Sequence, residues 1–270
     1  MKSLSKEQKL YYTLRVASAM CFIGHGSFGI ITKAVWSNYF AVFGIGHDMA
    51  YQLMPVLGIV DIIMGLILLF YPIRIIALWL VIWSVVTAAL RPLSGESFGE
   101  LIERAGNFGA PLTLLLLCGS TQGALGWFQK LNAPLTLPGE RLKNVQRSLR
   151  GAAALLFAGH GWLNLIDKKG LIGQYTSLGF HDAHEVAFTA GIFELIAALL
   201  ILVKPSRSLL LVLLLWKMGT ELFYPHYEIF EWVERGGSYG VLLALWFSIS
   251  LKKKCGWYWL STKSYLKPDL

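Results

Sequence analysis

The sequence predicts an all-α, polytopic membrane protein with eight transmembrane helices, arranged as two tandem four-helix bundles. Composition is the first ground: the 270 residues are 55% hydrophobic and 15% charged, with a mean hydropathy of +0.55. The second is that the apolar residues gather in runs of the roughly 20 residues that a membrane-crossing helix needs. The third is that the chain is written twice. Arg15–Gly26, RVASAMCFIGHG, returns as Arg150–Gly161, RGAAALLFAGHG, with Gly-His-Gly in register. Downstream, His47-Asp48 answers to His181-Asp182, Asp61 to Glu194, Thr87 to Thr220 and Pro92 to Pro225. The run Glu103–Gly109 answers to Glu234–Gly240. Such self-similarity marks a tandem duplication and picks out the positions that the repeat unit keeps.

Taken in order, the helices are expected at about 14–31, 51–71, 73–90 and 105–127 in the first copy. In the second they are expected at about 149–166, 186–203, 207–223 and 236–251. Residues 1–127 then form one membrane repeat and 149–270 the other, which ends in a basic tail. Residues 128–148 are a cytoplasmic linker, with turn signals at Asn132-Ala133-Pro134 and Leu137-Pro138-Gly139. Four helices per copy is an even number, so both copies enter the membrane in the same sense. They should be related by a pseudo-twofold axis along the membrane normal.

Charge gives sidedness. Most of the 24 Lys and Arg residues fall on the face holding both termini, the linker and the turns at 72–74 and 204–207. Most of the 16 acids fall on the other face. The positive-inside rule places both termini in the cytoplasm and the chain in the cell (inner) membrane. The net charge of +8 is accounted for by these anchors, so the bilayer, not nucleic acid, is the expected partner. Residues 1–31 mimic a leader peptide, but the second copy repeats the element at 150–166 and no A-x-A site follows. Trp127, Trp257 and Trp259 on one side, and Trp36 and Trp232 on the other, suit interfacial belts. Cys21, Cys118 and Cys255 include no C-x-x-C pair, which excludes a dithiol relay and c-type haem attachment.

The candidate chemistry lies at one depth. At 1.5 Å per residue, His25 stands roughly 15 Å above Arg15 and Asp61 roughly 20 Å above Arg74. His160, Glu194, Lys217 and Glu221 fall at comparable depth in the second copy, and Thr87 and Thr220 are grouped with them. Intramembrane ionisable groups cost about 3 kcal/mol on insertion scales, so a ligand site or proton relay is one reading. The other is a hydrogen-bonded clasp between helices, with glycines permitting close approach. The second copy has Lys217 and Glu221, four apart on one helix face, where the first has Ser84 and Ala88. That asymmetry makes the second copy the expected working site, with a carboxyl able to exchange protons.

Two further patterns are less specific. His181 and His184 have a spacing that can bind a metal, with His226 as a candidate third ligand; a solvated helix start is the favoured alternative. The Glu-Arg pairs at 103–104 and 234–235 open helices, where glutamate complements the dipole. A bis-histidine haem through His25 and His160 is geometrically conceivable and is expected to be absent, because each histidine has an acid nearby.

The Gly-His-Gly motif, the acid on the following helix, and the stretch from Leu90-Arg91-Pro92 to Glu103-Arg104-Ala105-Gly106-Asn107 resemble DoxX-like membrane proteins. These are four-helix units about as long as one copy here. The resemblance implies a quinone-facing or redox-accessory role beside a partner redox subunit. It carries no catalytic residues across. Two functions from different classes remain open. One is a pocket binding an amphipathic molecule, a quinone or lipid, with His25 or His160 at its polar head and Asp61 or Glu194 handling a proton. The other is a proton-coupled small-solute transporter using Glu194, Lys217, Glu221 and His160.

Overall fold

A computed structural model describes residues 4–224 and 229–249. Pro225, His226 and the basic tail with Cys255, Trp257 and Trp259 lie outside the described residues. The described chain is all-α, and its helices follow the duplication. The first copy comprises α1 (Lys6–Ile30), α2 (Trp36–Ala41), α3 (His47–Phe70), α4 (Arg74–Leu93), α5 (Gly99–Glu103) and α6 (Ala105–Cys118). The second comprises α7 (Gly139–Leu165), α8 (Lys169–Ser177), α9 (Ala183–Val203), α10 (Arg207–Leu222), α11 (Ile229–Glu234) and α12 (Gly236–Ile249).

Three of these helices, α3, α4 and α9, are long and apolar enough to cross a membrane by length and composition, where the sequence suggested eight. The shortfall has local causes. α6 and α12 are apolar but only 14 residues long. α6 stops at Gly119, whose φ of +79° ends the helix; a short 3-10 turn (Ala124–Phe128) takes the place of its expected last turns. α7 opens with the polar stretch GERLKNVQRSLR. That stretch was expected to be linker, yet helix begins at Gly139 because Val145 and Leu149, one turn apart, are both buried. α2, α5, α8 and α11 are too short for the periodicity that would reveal them in sequence.

Helix ends are set by ordinary means. Ser5 and Gln8 form a reciprocal capping box at α1. The Glu185 and Leu209 amides donate to Asp182 and Ser206 at the starts of α9 and α10. The repeated arginine has a plain role in both copies. Arg15 donates to the Leu68 and Leu69 carbonyls at the end of α3, and Arg150 to those of Ile201, Leu202 and Val203 at the end of α9. A cation on terminal carbonyls complements the negative end of the helix.

The contacts between copies are reciprocal. The α1 backbone at Gly24 lies on that of Glu234, and α7 at Gly159 lies on that of Glu103. Gly109 meets Ala152 while Gly240 meets Ala17, and the starts of α6 and α12 meet where Gly106 abuts Ser238 and Gly237 abuts Gly106. Each copy thus wedges its first helix against the last helix pair of the other, so the two units interlock. Within each copy the same device joins α1 to α3 at Gly26 and Gly58, and α7 to α9 at Gly161 and Gly191.

At Gly24 and Gly159 a methyl group would come closer than 3.0 Å to neighbouring backbone, whereas Gly151 on α7 has open space beside it. Gly24→Ala and Gly159→Ala are therefore expected to destabilise by about 1–3 kcal/mol. Gly151→Ala should be neutral or slightly stabilising. Thermal unfolding of the three purified variants checks this, and equal midpoints for all three would contradict the interlocked packing.

Candidate functional site

Each copy builds a triad of histidine, acid and tryptophan from three helices. In the first, His25 Nδ1 lies 2.7 Å from Asp61 Oδ2, and Trp83 Nε1 donates to the same oxygen at 3.3 Å. In the second, His160 Nδ1 lies 2.5 Å from Glu194 Oε2 while Trp216 Nε1 donates to Oε1 at 2.9 Å. The acid occupies Nδ1 and so fixes the ring's orientation, which leaves Nε2 for any other partner. The tryptophans escaped the sequence reading, although Trp83 and Trp216 stand at matching places, each followed directly by the residue that differs most between copies. Thr87 and Thr220 both donate back to their own helices, at Trp83 and Lys217 respectively.

Between the triads lies a buried ionic belt centred on the two breaks, at Arg104 between α5 and α6 and at Arg235 between α11 and α12. Glu100 pairs with Arg104 and Lys168, each at 2.8 Å, and with Arg91 at 3.2 Å. Glu103 pairs with Arg235 at 2.9 Å and Arg104 at 3.3 Å. Glu221 pairs with Lys217 at 2.5 Å and more distantly with Arg235 at 3.8 Å. Arg91 also holds Glu96, and Lys33 holds Glu231. The Glu-Arg motifs are thus not helix caps: no side-chain cap forms at Arg104, and Glu103 ends α5. Glu103, Arg104 and Arg235 are central members of a charge network that crosses between copies.

The copies differ in what fills the space beside the triad. In the first, α1, α3 and α4 enclose a cavity of about 140 Å³, roofed by α2. His25, Ser84, Thr87 and Asn107 supply polar atoms to its wall, and Phe22, Phe28, Trp36, Phe40 and Trp83 supply aromatic faces. Trp36 covers the His25 ring at 4.5 Å between centroids, yet the His25 side chain keeps 18% exposure. In the second copy, Lys217 and Glu221 stand where the first has Ser84 and Ala88, and both are essentially inaccessible. His160 is sealed by Asn164, which donates to Glu194 and accepts from the Tyr175 hydroxyl. A groove lined by Val186, Ala190, Phe193 and Trp216 reaches this copy from outside and includes neither His160 nor Lys217.

The candidate residues therefore fall into two separate sets. His25 and Thr87 line the open cavity, with Asp61 directly behind His25. His160, Glu194, Lys217, Thr220 and Glu221 belong to the second copy. Glu103, His160 and Glu221 offer three ligand atoms within 4.8 Å of one another, but Arg235 and Lys217 already neutralise the two acids and oppose a metal cation there. His184 pairs with Asp167 at 3.1 Å on the surface, His181 lines the outer groove, and His226 lies outside the described residues. Compared with protein families, curated proteins and solved structures, the chain matches none.

Removing one partner of a buried pair strands the other charge, at a cost of about 3–5 kcal/mol, while replacing both is far milder. Lys217→Met and Glu221→Gln are each expected to lower thermal stability strongly, and Lys217→Met with Glu221→Met to recover most of the loss. Non-recovery in that double variant would show that Lys217 and Glu221 do more than fill and neutralise.

Glu100, on α5 outside the apolar helices, offers a pH test. Burial by itself would raise its pKa, but Arg104, Lys168 and Arg91 outweigh burial and hold it down to about 2 against an ordinary 4.5. A depressed folded value stabilises the fold above the unfolded pKa and stops doing so as pH falls through the folded one. Glu100→Gln should therefore unfold at a lower temperature than wild type at neutral pH, and the gap should close as pH falls from 4.5 toward 2. A gap independent of pH would place the effect in packing.

Proposed function

We propose that the chain crosses the cell membrane eight times with both termini in the cytoplasm, its copies related by a pseudo-twofold axis along the membrane normal. On this reading the first copy binds one amphipathic molecule, a quinone or a membrane lipid. The observation that carries it is the aromatic-walled cavity of about 140 Å³ beside His25, lined by Ser84 where the second copy has the buried Lys217. Concave apolar pockets with a few converging polar groups are the usual form of small-molecule sites. His25 Nε2 is the natural contact for a polar head, since Asp61 holds the opposite ring nitrogen. A tail would leave between α3 and α4, past Leu57 and Leu80. The quinone member of the class rests on the DoxX-like resemblance, as does service to a redox partner.

The second reading, a proton-coupled transporter, is favoured by one observation: both helix pairs, α5–α6 and α11–α12, break at buried arginines. Broken helices often frame transport sites. The acid at the first of these breaks, Glu103, is closed into ion pairs with Arg104 and Arg235, so binding in the first copy is the better-supported reading.

The second copy itself suggests the test. Ser84→Lys with Ala88→Glu writes the plug into the first copy, and His25→Ala removes the head contact while leaving the volume. Mass spectrometry of organic extracts from purified wild type should find a retained quinone or lipid in about one-to-one ratio. The plugged variant should lose it, and His25→Ala should weaken its retention about tenfold. Unchanged retention in a folded plugged variant would defeat the proposal, and proton-driven solute uptake into proteoliposomes would favour the alternative.

A further inference from the structure

Glu234 reaches the first-copy cavity from the second copy. It sits at the end of α11 with its backbone against Gly24, and it lines the cavity wall with His25, Arg91 and Arg104. It is only 6% exposed. Among the described residues its carboxyl makes no hydrogen bond or ion pair, although Lys33, Arg91 and Arg104 on the same wall are all paired. Its counterpart in the other copy, Glu103, is bound by two arginines.

The charges nearby settle its state. The belt's ion pairs hold six cations (Lys33, Arg91, Arg104, Lys168, Lys217 and Arg235) and five acids (Glu96, Glu100, Glu103, Glu221 and Glu231). Glu234 is the sixth acid, and ionising it brings the buried belt to neutrality, which a low-dielectric interior strongly favours. An ionised carboxylate accepts hydrogen bonds and cannot donate them. A buried acceptor left without a donor is costly. A ligand that fills this cavity removes the remaining water, so it must supply the donor itself.

We infer that Glu234 selects, for the cavity proposed above to bind an amphipathic molecule, a ligand whose head carries an O–H or N–H donor. The class comprises a hydroquinone rather than its quinone, or an amino-headed phospholipid rather than its trimethylated equivalent. The inference rests on that binding reading and adds the acid that decides between otherwise similar heads. The cavity is thereby completed across the duplication: the first copy contributes the walls and His25, the second the selecting anion.

Two matched pairs of probes test it on the full chain. In one arm, the protein in nanodiscs is equilibrated with equal amounts of phosphatidylethanolamine and phosphatidylcholine of identical acyl chains. In the other, it meets a short-chain benzoquinone or its hydroquinone, the latter kept reduced without oxygen. Bound molecules are counted by native mass spectrometry, and the Ser84→Lys, Ala88→Glu protein gives the background from annular lipid. The donor-bearing member should exceed its partner about tenfold in at least one arm, the worth of a hydrogen bond to a charged group. The arm that responds identifies the source, lipid or quinol. Glu234→Gln should bring the ratio close to one with cavity occupancy retained; the wild-type ratio stands as evidence if that variant does not fold. Occupancy without preference in wild type, or a preference that survives Glu234→Gln, overturns the role of Glu234 and leaves the cavity reading in place. Occupancy no greater than background in both arms overturns both.

Discussion

The close approach of α1 to the α11–α12 break, mirrored by α7 on the α5–α6 break, is the constraint on which the rest of this structure depends. Gly24 and Gly159 allow it, because any side chain at either place would overlap the backbone of Glu234 or Glu103. The approach carries a charged dipeptide from each copy into the territory of the other. Once there, Glu103, Arg104 and Arg235 are too deep for water to solvate them, and each can persist only by finding the others. The ionic belt is thus a consequence of interlocking as much as a cause of it. The same geometry fixes where the histidine triads stand, since each histidine immediately follows the glycine that makes the contact.

Duplication of one unit supplies two equivalent volumes, and the differences between copies decide what each becomes. Ser84 on α4 lines the space beside His25. On α10 the equivalent residue is the buried Lys217, which pairs with Glu221, itself tied to the belt through Arg235. The second copy then resembles a buried ionic core, in which removing one partner costs more than replacing the pair. The open copy keeps the elements that a binding site uses, an oriented ring nitrogen, aromatic faces and unclaimed polar groups.

The placement of the charges follows the same division of labour. Arg15 and Arg150 terminate helices in both copies and are indifferent to the asymmetry. Lys33 and Lys168 occupy equivalent positions and hold equivalent acids of the opposite copy, Glu231 and Glu100. Arg104 turns toward Glu100 and Glu103, which releases Glu234 to face the cavity.

The sequence by itself determined the helical class and the duplication, and offered the pairing of histidine with acid in each copy as one of two readings. Those properties are written in composition, in register and in the spacing of a few rare polar residues along apolar runs, all of which survive without coordinates. It also located Lys217 and Glu221 as the main asymmetry. Their effect was not legible: charge in an apolar helix reads as activity until its partners are known, and Lys217 and Arg235 both turn out to pair with Glu221. Only the tertiary structure decided that these residues are buried as an ion pair while Ser84 lines an open cavity. The role of Trp83 and Trp216, the helical start of the linker at Gly139 and the arrival of Glu234 in the first copy's cavity were hidden for the same reason. Each depends on which helices touch, and contact between helices is set by packing that no local pattern records.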